Sequence, residues 1–499
     1  MTLRRVPLIR LSAWLAGFGI AVVLALYLAR LPLTAAAIAA ALRSAGAGDV
    51  RLAVTESSPW QVVVENLDFR YKAQRFEARR VTMERARWWS PTLGAVAISG
   101  VKVPVTIDGS DTNPWSWTTY ASTPAAGGGT LEVPAERVTL DGVVVVKAGG
   151  LPDQALTVSF EAGQHPDNVW SGRATARGPG LQVEADLSYD LGREALEYRV
   201  TRASLDLKPW EGFVQRLTLL PGGFWGLEGR LSGEAAGRYG GDVLTAAGRV
   251  SLRDGRFELK ERKVAARGVE ADFEFTDFTK LVSKPGSVRV AELDYTDLKV
   301  TELEAGLELQ GLEHMQVLRA SLRAMGGKLS AEPFRLALSG QELEATLLAD
   351  GIDVEQVLAL APDVPAKAVG RVDGRLPVRI DSAGLRLGTG WLALKPGVRA
   401  EVQFNAKGLL TGGVAANNPT YAILNKIETG LLRLKVGELR LEIRPPDAPA
   451  GRSARLHIAG EPVDPGVKAP VTLDLNVNGP IEQLLNLGMN QKVSFGSAK

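Results

Sequence analysis

The chain has 499 residues, 45% hydrophobic and 23% charged, with 58 Lys and Arg against 56 Asp and Glu. That composition excludes a disordered tail, and the near-balance of charge removes the electrostatic footprint of a nucleic-acid binder. With no cysteine and 3 histidines, disulfide frameworks, thiol nucleophiles and cysteine zinc sites are excluded, and a histidine-rich metal centre has little to be built from.

The first ten residues carry Arg4, Arg5 and Arg10, and Leu11–Ala29 is then uncharged until Arg30. Such a run forms roughly 28 Å of helix, enough to cross a hydrocarbon core. Leu11, Leu15, Phe18, Ile20 and Leu24 supply its apolar body, and Trp14 and Tyr27 lie near the two ends, where aromatic rings favour the interface. A cleaved secretory signal is the competing reading, because small residues follow from Ala35; its apolar core is ordinarily shorter, about 7–15 residues. The run is therefore expected to remain as a single-pass anchor with Met1–Arg10 cytoplasmic. The alanine-rich stretch Leu33–Ser44 extends the helix, up to the breaker Gly46–Gly48.

Beyond it, period-two alternation dominates, as in strands with one apolar face. Val96–Val105 and Val138–Val146 echo each other 42 residues apart, each a short strand, a polar-Gly step (Ser99-Gly100, Asp141-Gly142) and a valine-rich strand. A loosely repeating strand-and-turn unit suits a sheet that grows rung by rung. Leu181–Leu187 alternates, as does Asp272–Phe278, where Phe273 and Phe275 interleave with Asp272, Glu274 and Asp277. Leu303–Leu309, Leu343–Leu347, Arg455–Ile458, Val398–Phe404 and Val471–Val477 follow the same pattern. In the last two, Val398, Ala400, Val402 and Phe404, then Val471, Leu473, Leu475 and Val477, share one side of their strands. The apolar parity between Leu432 and Ile443 shifts across Gly437, which predicts a bulge or tight turn.

Helical patterns are short: Asp353–Ala361, Tyr421–Glu428 and Ile481–Leu487. Without sustained βαβ alternation, a doubly wound parallel sheet is excluded in favour of β-sandwiches or one long antiparallel sheet. Loop composition marks weak boundaries at Asp108–Thr130, Pro221–Gly223 and Pro445–Ser453.

The search for chemistry finds no HExxH, GxSxG or Rossmann fingerprint. Gly326-Gly327-Lys328 is similar to the end of a phosphate loop, but Leu322 and Leu329 occupy its first-glycine and Ser/Thr positions, so a β-turn is expected. His165, His314 and His457 are scattered, and the carboxylates beside Phe273 and Phe275 read as a solvated strand face. Arg433, Lys435, Arg440 and Arg444 are offset by Glu438 and Glu442, again a solvent face. No enzyme activity, metal or cofactor is expected. What remains is the apolar face, which must be buried on a second sheet, on itself by curling, or on a ligand. Acyl chains are natural guests, at about 0.8 kcal/mol for each buried CH₂.

Several segments resemble a known family. GRVDGRLPVRI from Gly370, GTGWLALKPGVRA from Gly388, LHIAG at Leu456 and PVTLDLNVNGPIEQLL from Pro470 are similar to the C-terminal domain of the YdbH family. That family belongs to the AsmA-like group, which also includes TamB; ARWWSPTLGAVAISGVKV from Ala86 looks like the start of such proteins. The resemblance implies a mainly β fold, a long curved antiparallel β-sheet groove (a β-taco) behind one N-terminal transmembrane helix. It divides the chain into a tail (1–10), an anchor (11–29), a juxtamembrane helix (30–48), a periplasmic β-groove (49–350) and a C-terminal β domain (351–499). It further implies a Gram-negative inner-membrane protein that carries phospholipids between inner and outer membranes. The family domain has also been labelled for dicarboxylate transport, but a single span cannot build an alternating-access site at the bilayer midplane. Expected lipid-groove positions are Phe273, Phe275, Val398, Ala400, Val402, Phe404, Leu473, Leu475 and Val477. An open sheet ends in unpaired N–H and C=O groups. The edge Val471, Leu473, Leu475, Val477 is therefore expected to take a small outer-membrane lipoprotein by strand addition. The alternative is an envelope scaffold or assembly factor of the TamB kind, without lipid transport.

Overall fold

The structure, a computed structural model, describes residues 29–478 apart from 72–73, 88–91, 108–134, 149, 218–224, 242, 261–262, 296–297, 312, 338–342, 360–365, 382–383, 405–410, 445–451, 466 and 468. The anchor residues Leu11, Trp14, Leu15, Phe18, Ile20, Leu24 and Tyr27 lie outside the described residues, as do Ile481–Leu487 and the loops 108–130 and 221–223. Among the described residues, no helix is long and apolar enough to cross a membrane. The chain forms two units, one of Met1–Leu219 with Ser232–Ala246, the other of Leu220–Leu231 with Ala247–Lys499.

The first unit begins with residues 29–44 as a helix, where the alanine-rich stretch Leu33–Ser44 predicts one. The strands β1 (Ala47–Ser57), β2 (Gln61–Tyr71), β3 (Gln74–Arg85) and β4 (Leu93–Ile107) follow as an antiparallel meander. β4 then pairs in parallel with β5 (Ala135–Ala148), with Val96 opposite Val138 and Ile98 opposite Leu140. The two echoing segments are thus side by side, at the 42-residue offset of their sequences. The offset slips by one residue after Ser99, at Gly100, whose φ of 67° is the left-handed conformation glycine tolerates. Gly142 opposite the slip is required by space, since a Cβ there would lie 2.6 Å from the Val101 carbonyl oxygen. Antiparallel pairing resumes through β6 (Gln154–Gln164), β7 (Val169–Gly178), β8 (Leu181–Asp190) and β9 (Ala195–Asp206). A 3₁₀ turn (Lys208–Trp210) and a short helix (Glu211–Leu217) follow.

The second unit is again an antiparallel ladder. β10 (Trp225–Gly240) and β11 (Val243–Leu259) each have residues in both units. The part of β11 in the second pairs with β12 (Val264–Asp277), on which the two-residue β13 (Val282–Ser283) also pairs, and β14 (Gly286–Tyr295), β15 (Leu298–Leu309) and β16 (His314–Ala324) continue in order. β17 (Gly327–Ala331) and β18 (Phe334–Ala337) are two pieces of one rung between β16 and β19 (Leu343–Asp353). The Gly326-Gly327 segment is the turn from β16 into β17, with Met325 and Gly326 at positive φ and Ala324 opposite Gly327. This is the hairpin chemistry expected of it. β21 (Arg371–Asp381), with β22 (Gly384–Leu387) and β23 (Gly390–Leu394) both paired on it, then β25 (Arg433–Ile443), β26 (Arg452–Pro462) and β27 (Val471–Asn478) complete the ladder. β24 (Ala400–Phe404) lies between β25 and β20 (Ala366–Val369). The anticipated shift at Gly437 is a break in register between Val436 and Glu438. It restores Leu434 and Val436 to the side that holds Leu439 and Leu441. Helices occur at Val354–Ala359 and Tyr421–Leu432, close to the short helical patterns of the sequence.

Candidate functional site

Residues directly opposite each other in an antiparallel pair share a face, so register carries an apolar side from strand to strand. In the first unit one row runs Leu140, Phe160, Ala174, Ala185, Val200 across β5 to β9. In the second, one runs Leu347, Leu376 across β19 and β21, and another Leu392, Leu441, Leu456, Leu475 across β23 to β27. The opposite face carries a charge ladder. Arg253 lies 2.6 Å from Asp272, Lys284 2.6 Å from Glu274, and Arg433 2.7 Å from Glu401. Hydrogen bonds from Arg253 and then Ser251 hold the Asp272 carboxyl below its ordinary range; Arg399 and Arg433 do the same for Glu401. Asp474 is lowered by His457 and Arg455, each 3.1 Å away. These carboxylates are paired with cations on a solvated face. Among the described residues no group of three or more potential ligands could hold a metal ion.

The apolar face is unevenly covered. At the start of the first unit, Ile38 of helix 29–44 packs on a cluster of Val64, Ala78 and Val81. At β5, Trp210 and Phe213 of the segment after β9 close over Val144, Val146 and Leu156. Beyond Leu156, Val158, Phe160, Ala174, Ala176, Val183 and Leu187 are half-buried, outside the closed cluster around Val146 and Phe213.

The expected groove positions fall in three settings. Phe273 and Phe275 are half-buried on the apolar face opposite Val250 and Gly248, with ring centroids 6.1 Å apart, and Phe275 stacks on Phe278 at 4.5 Å. Ala400 and Val402 are 4% and 5% exposed, closed in with Leu434, Val436 and Ile458 under Val354 and Leu358 of the helix Val354–Ala359. The chain's own side chains fill this part of the face. Leu473 packs at its margin opposite Ile458, and Leu475 and Val477 are in register with Leu456 and Ala454. Phe404 is in register with Ala366, and Val398 precedes β24, half-buried. Register therefore brings the members within each strand to the apolar side, with Val398 next to it. Of the half-buried wall of β6 to β8, the alternation of Leu181–Leu187 marks β8 in the sequence, and Leu156, Val158 and Phe160 of β6 alternate as plainly as Val398–Phe404. The edge residues Val471 to Val477 lie on β27, which among the described residues pairs on one side only, with β26.

Antiparallel ladders with one apolar and one charged face, repeated in both units, place the chain in the class of mainly β proteins. Within it, a family model described as YdbH-like, intermembrane phospholipid transport protein YdbH, matches residues 84–398. The chain belongs to this YdbH-like family, a family of lipid transport. The matched stretch takes in the middle of the chain together with the segments from Ala86 and Gly370; the segments from Leu456 and Pro470 lie beyond it. No curated protein and no solved structure matches the chain.

Proposed function

We propose that this protein moves phospholipids between the inner and outer membranes of a Gram-negative envelope along its apolar strand face. In this reading it is held in the inner membrane by Leu11–Ala29, with Met1–Arg10 cytoplasmic and the rest of the chain periplasmic. The observation that carries the reading is the half-buried wall of Val158, Phe160, Ala176 and Val183 on one side of β6 to β8, with apolar surface left to offer among the described residues. Each CH₂ of an acyl chain laid there gains about 0.8 kcal/mol, and the family's description supplies the guest. Within the second unit, Phe273 and Phe275 lie on the apolar side of β12, with Val398 beside β24, and offer a surface of the same kind. Ala400 and Val402 with Leu473 are the part of that unit closed by the chain itself, and by register Phe404, Leu475 and Val477 are on the apolar side of their own strands. At the far edge, β27 takes a strand from a small outer-membrane lipoprotein, whose alternate apolar side chains prolong the face.

A photo-crosslinking residue at Phe160 in the full chain, in cells, tests the wall. Capture of phospholipid is expected there and not at Glu161, which points to the other side of β6. Equal labelling at both positions would remove the one-sided lipid wall.

A further inference from the structure

At one end of the first unit, three pieces of chain are tied together. Thr34 Oγ1, near the start of helix 29–44, lies 3.1 Å from Ser57 Oγ at the end of β1. The Ser58 amide donates to the Gln61 carbonyl at 2.8 Å, closing the turn from β1 to β2, and the Arg85 amide at the end of β3 donates to the Trp60 carbonyl at 2.8 Å. The helix runs back along β1, since residue 44 ends it and Ala47 begins the strand. Its start, the β1–β2 turn and the end of β3 therefore share one end of the unit.

That end presents apolar side chains to solvent. Leu33 and Trp60 are each 57% exposed, and Trp60 is more exposed than any other aromatic side chain among the described residues. Arg30, Arg85 and Arg87 are near them in the chain, together with the exposed acids Glu56 and Glu84. It is also the end at which the uncharged run Leu11–Ala29 joins the helix, so Leu33 follows that run by one helical turn. An indole with an apolar body and a polar N–H is most stable at the headgroup level of a bilayer, and arginines beside it favour anionic headgroups.

We propose that the β1–β2 turn is a membrane-contact site: Trp60 and Leu33 seat in the headgroup region of the bilayer that holds Leu11–Ala29. This rests on the anchored reading given above and adds to it a second, folded point of contact. Two attachments, one through the helix and one through the turn, fix the orientation of the first strands at the surface from which lipid is drawn.

The cysteine-free chain allows a direct test. Trp60→Cys, Leu33→Cys and, as a control, Ser44→Cys are labelled with an environment-sensitive fluorophore in the full chain. The proteins are reconstituted in phosphatidylethanolamine–phosphatidylglycerol vesicles carrying a shallow doxyl-lipid quencher. Ser44 is exposed and roughly 16 Å from Leu33 along the helix. Quenching at positions 60 and 33 is expected to exceed that at 44 several-fold. If the chain stays with the vesicles through a carbonate wash but position 60 is quenched no more than 44, the contact site is overturned and the anchor stands. Quenching at 33 alone also overturns it, because the turn would then be off the surface. A chain that washes off overturns both readings.

Discussion

Leu434 has no exposed surface and Val402 beside it almost none, whereas Phe160, on the same kind of strand face, keeps part of its ring in the open. The difference lies in how the face is closed: Leu434 sits in a filled cluster under Val354 and Leu358, whereas Phe160 belongs to none of the filled clusters among the described residues. The two sites should therefore respond to substitution in opposite ways. Leu434→Ala removes buried methyl groups and leaves a cavity that closely packed neighbours cannot close, a loss of about 2–5 kcal/mol. A lower urea midpoint with lipid transfer kept, scaled to folded protein, is the expected outcome. Phe160→Asp places a charge where water can reach it, so abundance and melting should change little while lipid transfer falls. Equal destabilisation by both would mean that Phe160 lies in a closed core. The charge ladder on the other face tunes neither behaviour much, because exposed ion pairs contribute about 0–1 kcal/mol each. At this scale the sequence was legible as to side: Phe273 and Phe275 alternate with Asp272 and Glu274 and do fall on opposite faces. It was silent on cover, since Val402 and Phe160 have the same local pattern.

Among the elements, β4 and β5 are instructive because their likeness in sequence becomes contact in space. A parallel pair needs a long connection, and the intervening residues 108–134 provide the length. β17 and β18 illustrate the reverse: two short apolar runs that together make one rung. β27 carries an element-scale prediction. Its backbone pairs with β26 through Gly460–Val471, Ile458–Leu473 and Leu456–Leu475, and among the described residues its second edge has no partner strand. Single cysteines placed along Val471–Asn478 and on a candidate lipoprotein strand should crosslink in a ladder of period two if the partner adds as a strand. Crosslinks of uniform strength along the segment would count against strand pairing, and efficient transfer between two vesicle populations by the purified chain alone would count against needing the partner.

For the whole molecule, the open question is conduit or scaffold, and the full-length protein released from membranes in mild detergent can answer it. Native mass spectrometry is expected to show phospholipid retained on the chain, with retention reduced in Phe160→Asp. A chain that carries no lipid and still supports envelope assembly would favour the scaffold. Family membership and the mainly β class were accessible from the sequence alone. Period-two alternation dictates a strand and its apolar side whatever the partner, because successive side chains leave the backbone in opposite directions. The absence of thiol and metal-ligand patterns removed most chemistries in the same way. Which strands are neighbours and where the apolar face is closed were decided only by the tertiary structure. Val354 and Leu358 reach Val402 and Leu434 across more than forty residues of chain, and Trp210 and Phe213 reach back to Val146. Contacts between such distant segments leave no period in the local sequence, so cover, unlike side, cannot be read from a strand by itself.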